Sequence, residues 1–160
     1  MKCNSMKDCH GQSCIFCEIV NRQTETEILI RDEELCCFRD LNPGAEHHYL
    51  VVPNIHIDSC ISLMKEHVPM VKEMVKMAKA VLLKHNFNNL DDIRLGFHIP
   101  PFYSVHHLHL HVLAPASQMD IHSLWTYGPQ AFWFITAEDL IQKLNNQFKP
   151  SALIRPCTLI

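Results

Sequence analysis

The stretch His107-Leu108-His109-Leu110-His111-Val112-Leu113 constrains this chain more than any other, because histidine and apolar residues alternate there without a break. A repeat of two is the repeat of a β-strand, whose successive side chains point to opposite faces. The three imidazoles then share one face, about 6.6 Å from one to the next, while Leu108, Leu110 and Val112 bury themselves on the other. The fold must therefore lay a polar, reactive row over an apolar core. Crowded imidazoles oppose one another's protonation. A neutral ring of this kind can form a bond to phosphorus, and a neighbour can hand a proton to a departing amine or oxygen. Imidazole is also the commonest zinc ligand, so a metal that claims one of the three rings is the alternative.

The remaining pattern supplies a sheet and helices around that strand. Residues 27–31 and 35–38 read as a hairpin across the acidic turn at 32–34, and residues 49–52 as a buried strand after the turn signal Asn42-Pro43-Gly44. Between residues 66 and 85, Val68, Val71, Met74, Val75, Ala78, Val81 and Leu82 recur at helical spacing with charged residues between them. Pro69 falls in the first turn, where its missing donor has no intrahelical partner. Ser13 is placed to cap a short helix carrying Ile15, Phe16 and Ile19, and Thr136 to cap a last one over residues 137–147. Further strands are expected at 93–97, 107–113 and 132–135. With 48% hydrophobic and 19% charged residues in a 160-residue chain, one core is the expectation. It occupies residues 13–148, between disordered tails at 1–12 and 149–160.

Charge narrows the partners. Lys and Arg number 14 against 17 Asp and Glu, so no basic surface is expected to grip extended nucleic acid, whereas a mononucleotide is compatible. The first residues carry no apolar run, which predicts neither a secretory signal nor a membrane anchor, and a cytoplasmic protein with nuclear access. In a reducing compartment the 8 cysteines are expected as thiols or metal ligands. Cys36, Cys37, Cys60 and Cys157 read as small packing residues. The pair Cys14 and Cys17 has the spacing to grip one tetrahedral ion, the alternative being two reduced thiols. His10, His47, His56, His67, His85, His98, His106 and His122 read as surface or loop residues, His98 being set apart by lying on the strand that leads into the loop before the alternating histidines.

The alternating segment matches the histidine triad motif, and the chain resembles the Hint branch of the histidine triad family. Cys14-Ile15-Phe16-Cys17, His47-His48-Tyr49-Leu50-Val51-Val52-Pro53, Arg94-Leu95-Gly96-Phe97-His98 and Trp133-Phe134-Ile135-Thr136 carry the resemblance beside the triad. It implies an α+β, HIT-like fold: an antiparallel sheet of about five strands with one long amphipathic helix and a C-terminal helix, commonly paired into a homodimer. It also implies hydrolysis of adenosine monophosphate joined to an amine or acyl group, through a covalent histidine-AMP intermediate that needs no cofactor. By position, His109 matches the nucleophile, and His111 the histidine that contacts the phosphate. His107 and His48 match the supporting histidines, and Ser104 the serine at the leaving group. Phe16, Ile19, Phe38 and Leu41 match the apolar walls around the adenine, and Asp40 the carboxylate on the ribose. In some relatives Cys14 and Cys17 are matched by zinc ligands, together with His48 and His107, so the ion implied is a structural zinc. The loop at 99–105 departs from the branch: Pro100 and Pro101 offer no amide donors, leaving phosphate contact to Ser104 and Val105. Arg94 to His98 is also similar to the segment before the triad in aprataxin, a DNA-adenylate hydrolase. That activity, and a nucleotide-binding interaction module without turnover, stand as alternatives.

Overall fold

The computed structural model describes residues 14–147. The tails expected at 1–12 and 149–160, and the positions of Ser13, His10 and Cys157, lie outside them. The order of elements is α1 (Ile15–Val20), β1 (Ile28–Arg31), β2 (Leu35–Arg39), β3 (His47–Pro53), α2 (Val68–Lys84), β4 (Arg94–His98), β5 (Leu110–Ala114), α3 (Ile121–Tyr127), β6 (Phe134–Thr136) and α4 (Ala137–Asn145). The strands form one six-stranded antiparallel sheet in the order β1-β2-β3-β5-β4-β6. Each of the six stretches read as strands contributes to it, so the sheet has one strand more than the about five that the resemblance implies.

Alternation assigns the two faces. Leu35 and Cys37, Tyr49 and Val51, Phe97, and Leu108, Leu110, Val112 and Ala114 join the core under α2 and α4. Their neighbours Cys36, Phe38, Leu50 and Val52 pack against α1 on the opposite face. Helix α2 supplies Val71, Met74, Ala78, Val81 and Leu82, all buried; burying a large aliphatic side chain contributes about 1.5–3 kcal/mol. Pro69 sits in its first turn, as its chemistry requires. Both α1 and α2 end in a left-handed residue that is not glycine: Arg22 has φ 57 and Asn86 φ 64. Each redirects the following amides backward, Gln23 to the Glu18 carbonyl and Phe87 to the Leu82 carbonyl, both at 2.9 Å, which satisfies carbonyls the helix leaves open. Thr136 caps α4 by accepting from the Asp139 amide. Among the described residues, no helix is long and apolar enough to cross a membrane.

Two elements depart from expectation. Strand β5 begins at Leu110, not at residue 107, because the Leu108 amide donates to the Ile57 carbonyl, outside the ladder. Helix α3 is absent from the sequence reading; Trp125, Thr126 and Tyr127 are poor helix formers, and the helix rests on Asp120, whose carboxylate accepts from the Ser123 amide.

Candidate active site

Sheet register builds the site. His111 on the central strand β5 lies opposite Leu50 of β3 and Gly96 of β4. Two residues from each partner, on the same face, stand His48 and His98. Helix α1 approaches from one side, with the Phe16 ring 5.3 Å from that of His109 and 5.9 Å from that of His107. Helix α3 approaches from the other, with the Tyr127 ring 5.1–5.3 Å from those of His48, His98 and His111, edge-on to the first and tilted to the others. Gly96 makes this possible: any Cβ there would run into the Ile135 carbonyl and the Phe134 ring. That ring instead lies 5.3 Å from His98 and 5.7 Å from Tyr127.

Hydrogen bonds give the rings a direction. The Gly44 amide donates to His48 Nδ1 at 2.9 Å, so a neutral His48 carries its proton on Nε2. That proton is donated to His111 Nδ1 at 3.0 Å. His111 then carries its own on Nε2 and donates it to His98 Nδ1 at 3.1 Å, and His98 also bonds the Thr126 backbone. Separately, His109 Nδ1–H donates to the His107 carbonyl at 2.6 Å, which leaves the lone pair of His109 on Nε2. Burial holds all five rings neutral. It pushes His98 and His107 down to about 4 and His111 well below the usual imidazole range. It also lowers His48 and His109, against the opposing pull of Asp40.

Of the residues singled out by sequence, His48, His107, His109 and His111 are buried together. Asp40 joins them: its Oδ2 is 3.4 Å from His48 Nε2 and 3.8 Å from His111 Nδ1, and its Oδ1 accepts from the Asn42 amide. Phe16, Ile19 and Phe38 form one buried cluster with Val105 packed against it. Leu41 is 92% exposed, apart from that wall, and Ser104 is exposed on its loop.

The metal set needs a correction. His48, grouped by sequence with Cys14, Cys17 and His107, has both nitrogens engaged by Gly44 and His111. His56, read as a loop residue, stands in its place, because the chain turns back after β3 and brings its ring 5.0 Å from that of His107. Cys14 Sγ and Cys17 Sγ lie 3.4 and 3.6 Å from His107 Nδ1, and Cys17 Sγ lies 3.5 Å from His56 Nδ1. A tetrahedral zinc ion separates its sulfur and nitrogen ligands by about 3.6 Å, so these four residues fit the ion. His107 Nε2–H donates to the Pro53 carbonyl at 3.0 Å, which turns Nδ1 and its lone pair toward the thiols. His56, His98 and Tyr127 are the site residues that sequence reasoning missed. Only for His98 was there a signal, its place on the strand entering the loop.

The chain is also similar to known proteins. Residues 13–124 match the family model described as "Scavenger mRNA decapping enzyme C-term binding". "Adenosine 5'-monophosphoramidase HINT3" of Xenopus tropicalis is 51% identical over 137 residues, 85% of this chain and 90% of that protein. The protein of the same name in Mus musculus is 42% identical over 138 residues, 85% and 84% of the two chains. The Arabidopsis thaliana "Bifunctional adenosine 5'-phosphosulfate phosphorylase/adenylylsulfatase HINT4" is 39% identical over 139 residues, 84% of this chain and 93% of that protein. Among solved structures, a histidine triad protein from Clostridium difficile superposes with a TM-score of 0.58 at 30% identity, covering 62% of this chain and 88% of that one.

Proposed function

Since the chain belongs to the histidine triad family, we propose that it is a nucleotide-binding hydrolase that cleaves the phosphorus–nitrogen bond of adenosine 5'-monophosphoramidates. The observation that carries this reading is the His109 ring, tied through Nδ1–H to a backbone carbonyl and left with its lone pair on Nε2. In the first step that lone pair forms a bond to phosphorus, and the bond from phosphorus to the substrate amine breaks with its electron pair on the amine. The amine takes up a proton as it leaves. The N–H of His111, one ring away at 4.9 Å between centroids and backed by His48, is suited to donate toward the phosphoryl oxygens or the departing group. Water then displaces His109 and releases adenosine monophosphate. The cluster of Phe16, Ile19 and Phe38 suits the adenine. The two HINT3 relatives, named as adenosine 5'-monophosphoramidases, support the substrate class. The HINT4 relative makes adenosine 5'-phosphosulfate the second substrate to assay.

A structural zinc on Cys14, Cys17, His56 and His107 belongs to the same reading. It would hold His107, whose carbonyl orients His109, and would leave His109 free. The homodimer implied by the resemblance is carried as a proposal. The test of the hydrolase is His109→Asn, which keeps a polar side chain of similar reach. Turnover of adenosine 5'-monophosphoramidate is expected to fall by about 1000-fold or more, since nucleophile and base groups acting as a unit carry most of such catalysis. Undiminished turnover in the folded variant would overturn the assignment.

A further inference from the structure

The active-site imidazoles contain a second, unassigned place for a metal ion. One ring nitrogen from each of His98, His109 and His111 lies within 4.8 Å of the other two, and His98 Nδ1 stands 3.1 Å from His111 Nε2. Two imidazole nitrogens on one tetrahedral zinc ion are about 3.3 Å apart. The space now bridged by a single shared proton is therefore close to the space a dication needs. None of the three residues belongs to the set formed by Cys14, Cys17, His56 and His107. We propose that His98, His109 and His111 form an inhibitory site for a borderline transition-metal dication, represented by Zn2+, and that the ion silences the enzyme by taking the lone pair of the nucleophile.

The lone pairs can be counted. His98 already presents one on Nδ1, since it accepts from His111. His109 presents one on Nε2, since Nδ1–H is held by the His107 carbonyl. Only His111 has to change, moving its proton from Nε2 to Nδ1. The Nδ1 position now receives the His48 proton, and Asp40 resolves the conflict. Its Oδ2 lies 3.4 Å from His48 Nε2 and 3.8 Å from His111 Nδ1, so both N–H groups can turn to the carboxylate. The exchange moves one proton within the site, releases none and needs no redox partner. A carboxylate behind a ligating imidazole is the arrangement that strengthens such ligands. Three neutral nitrogens favour zinc, copper or nickel and disfavour magnesium or calcium. The fourth position of the ion is left to water, and the ion takes the space in front of His109 that a phosphoryl group would need.

Metal uptake is read directly and stands apart from the hydrolase reading; only the inhibitory half rests on that reading. Calorimetric titration of the full chain with Zn2+ is expected to give two classes of site. Adenosine monophosphate should compete with one of them alone, and loss of phosphoramidate turnover should track that class and reverse with chelator. His98→Asn should weaken this class by about tenfold or more, the size of effect that loss of a metal-supporting group has elsewhere, and leave the other unchanged. Unaltered affinity in a folded His98→Asn chain overturns the proposal. Co2+ titration of the unaltered protein decides the matter even if that variant does not fold. Thiolate ligands give an intense near-ultraviolet band, so uptake of one class without that band supports the site, and thiolate absorption accompanying every equivalent removes it. Second-site uptake without any turnover to inhibit would leave the metal site standing and remove the hydrolase.

Discussion

Gly44 and Asp40, both near the turn before β3, bear on which way the protons of His48 and His111 point, and neither contributes a ring. The amide of Gly44 fixes the tautomer of His48, and Asp40 faces both His48 and His111. If Asp40 also holds the ribose hydroxyls, Asp40→Ala should raise KM for an adenosine phosphoramidate by about 10- to 100-fold, the worth of a hydrogen bond to a charged group. Steady-state kinetics checks it; a fall in kcat at unchanged KM would show that Asp40 acts only through the imidazoles. At this scale the alternating histidines were legible in the sequence, because a repeat of two needs no knowledge of partners. His98 was not, since its place beside His111 follows from the β4–β5 register, in which Gly96 pairs with His111. His56 was not either. Its approach to Cys17 depends on how the chain turns after Pro53, and residue spacing carries no record of that turn.

Strand β4 is the element on which the site's far wall depends. Its glycine admits the Phe134 ring and the Ile135 carbonyl to within contact of the backbone, and β6 pairs across it. Gly96→Ala is therefore expected to cost about 1–3 kcal/mol through overpacking, read by urea denaturation. Because β6 leads directly into α4, the same change should raise hydrogen exchange in both. Stability equal to the parent chain would mean that the edge pairing is loose. Long periodic elements were easy to read: of its predicted stripe α2 buries Val68, Val71, Met74, Ala78, Val81 and Leu82 and leaves Val75 half-buried. Short ones were not. Helix α3 has a cap in Asp120 but an indifferent composition, and packing of Tyr127 against three histidines overrides its propensity. Residues 107–109 keep the alternation of a strand without its ladder, because pairing depends on the neighbouring chain and alternation does not.

For the whole molecule, the neutral imidazole cluster ties stability to pH. The folded chain holds His98 and His107 down to about 4, and lowers His48, His109 and His111 as well. An unfolded chain protonates the same rings near the usual 6.5. The unfolded state thus binds more protons below that value, and stability, complete above it, falls as pH drops from 6.5 toward 4. Each such ring contributes about 1 kcal/mol per pH unit to the slope. Tm measured across that range should decline steeply, and His98→Asn should make the decline shallower; a flat profile would contradict the burial of neutral rings. Chelation should lower Tm at constant pH, because the proposed zinc binds the folded chain and not the unfolded one.

Phe16 lies between Cys14 and Cys17 on a helix of 6 residues, and its ring touches both Phe38 and His109. The proposed adenine wall and the proposed zinc ligands are thus one rigid piece, too short to bend between them. A chain stripped of the proposed zinc should lose its grip on the base, so that starvation for the metal would appear as a poorer fit for nucleotide.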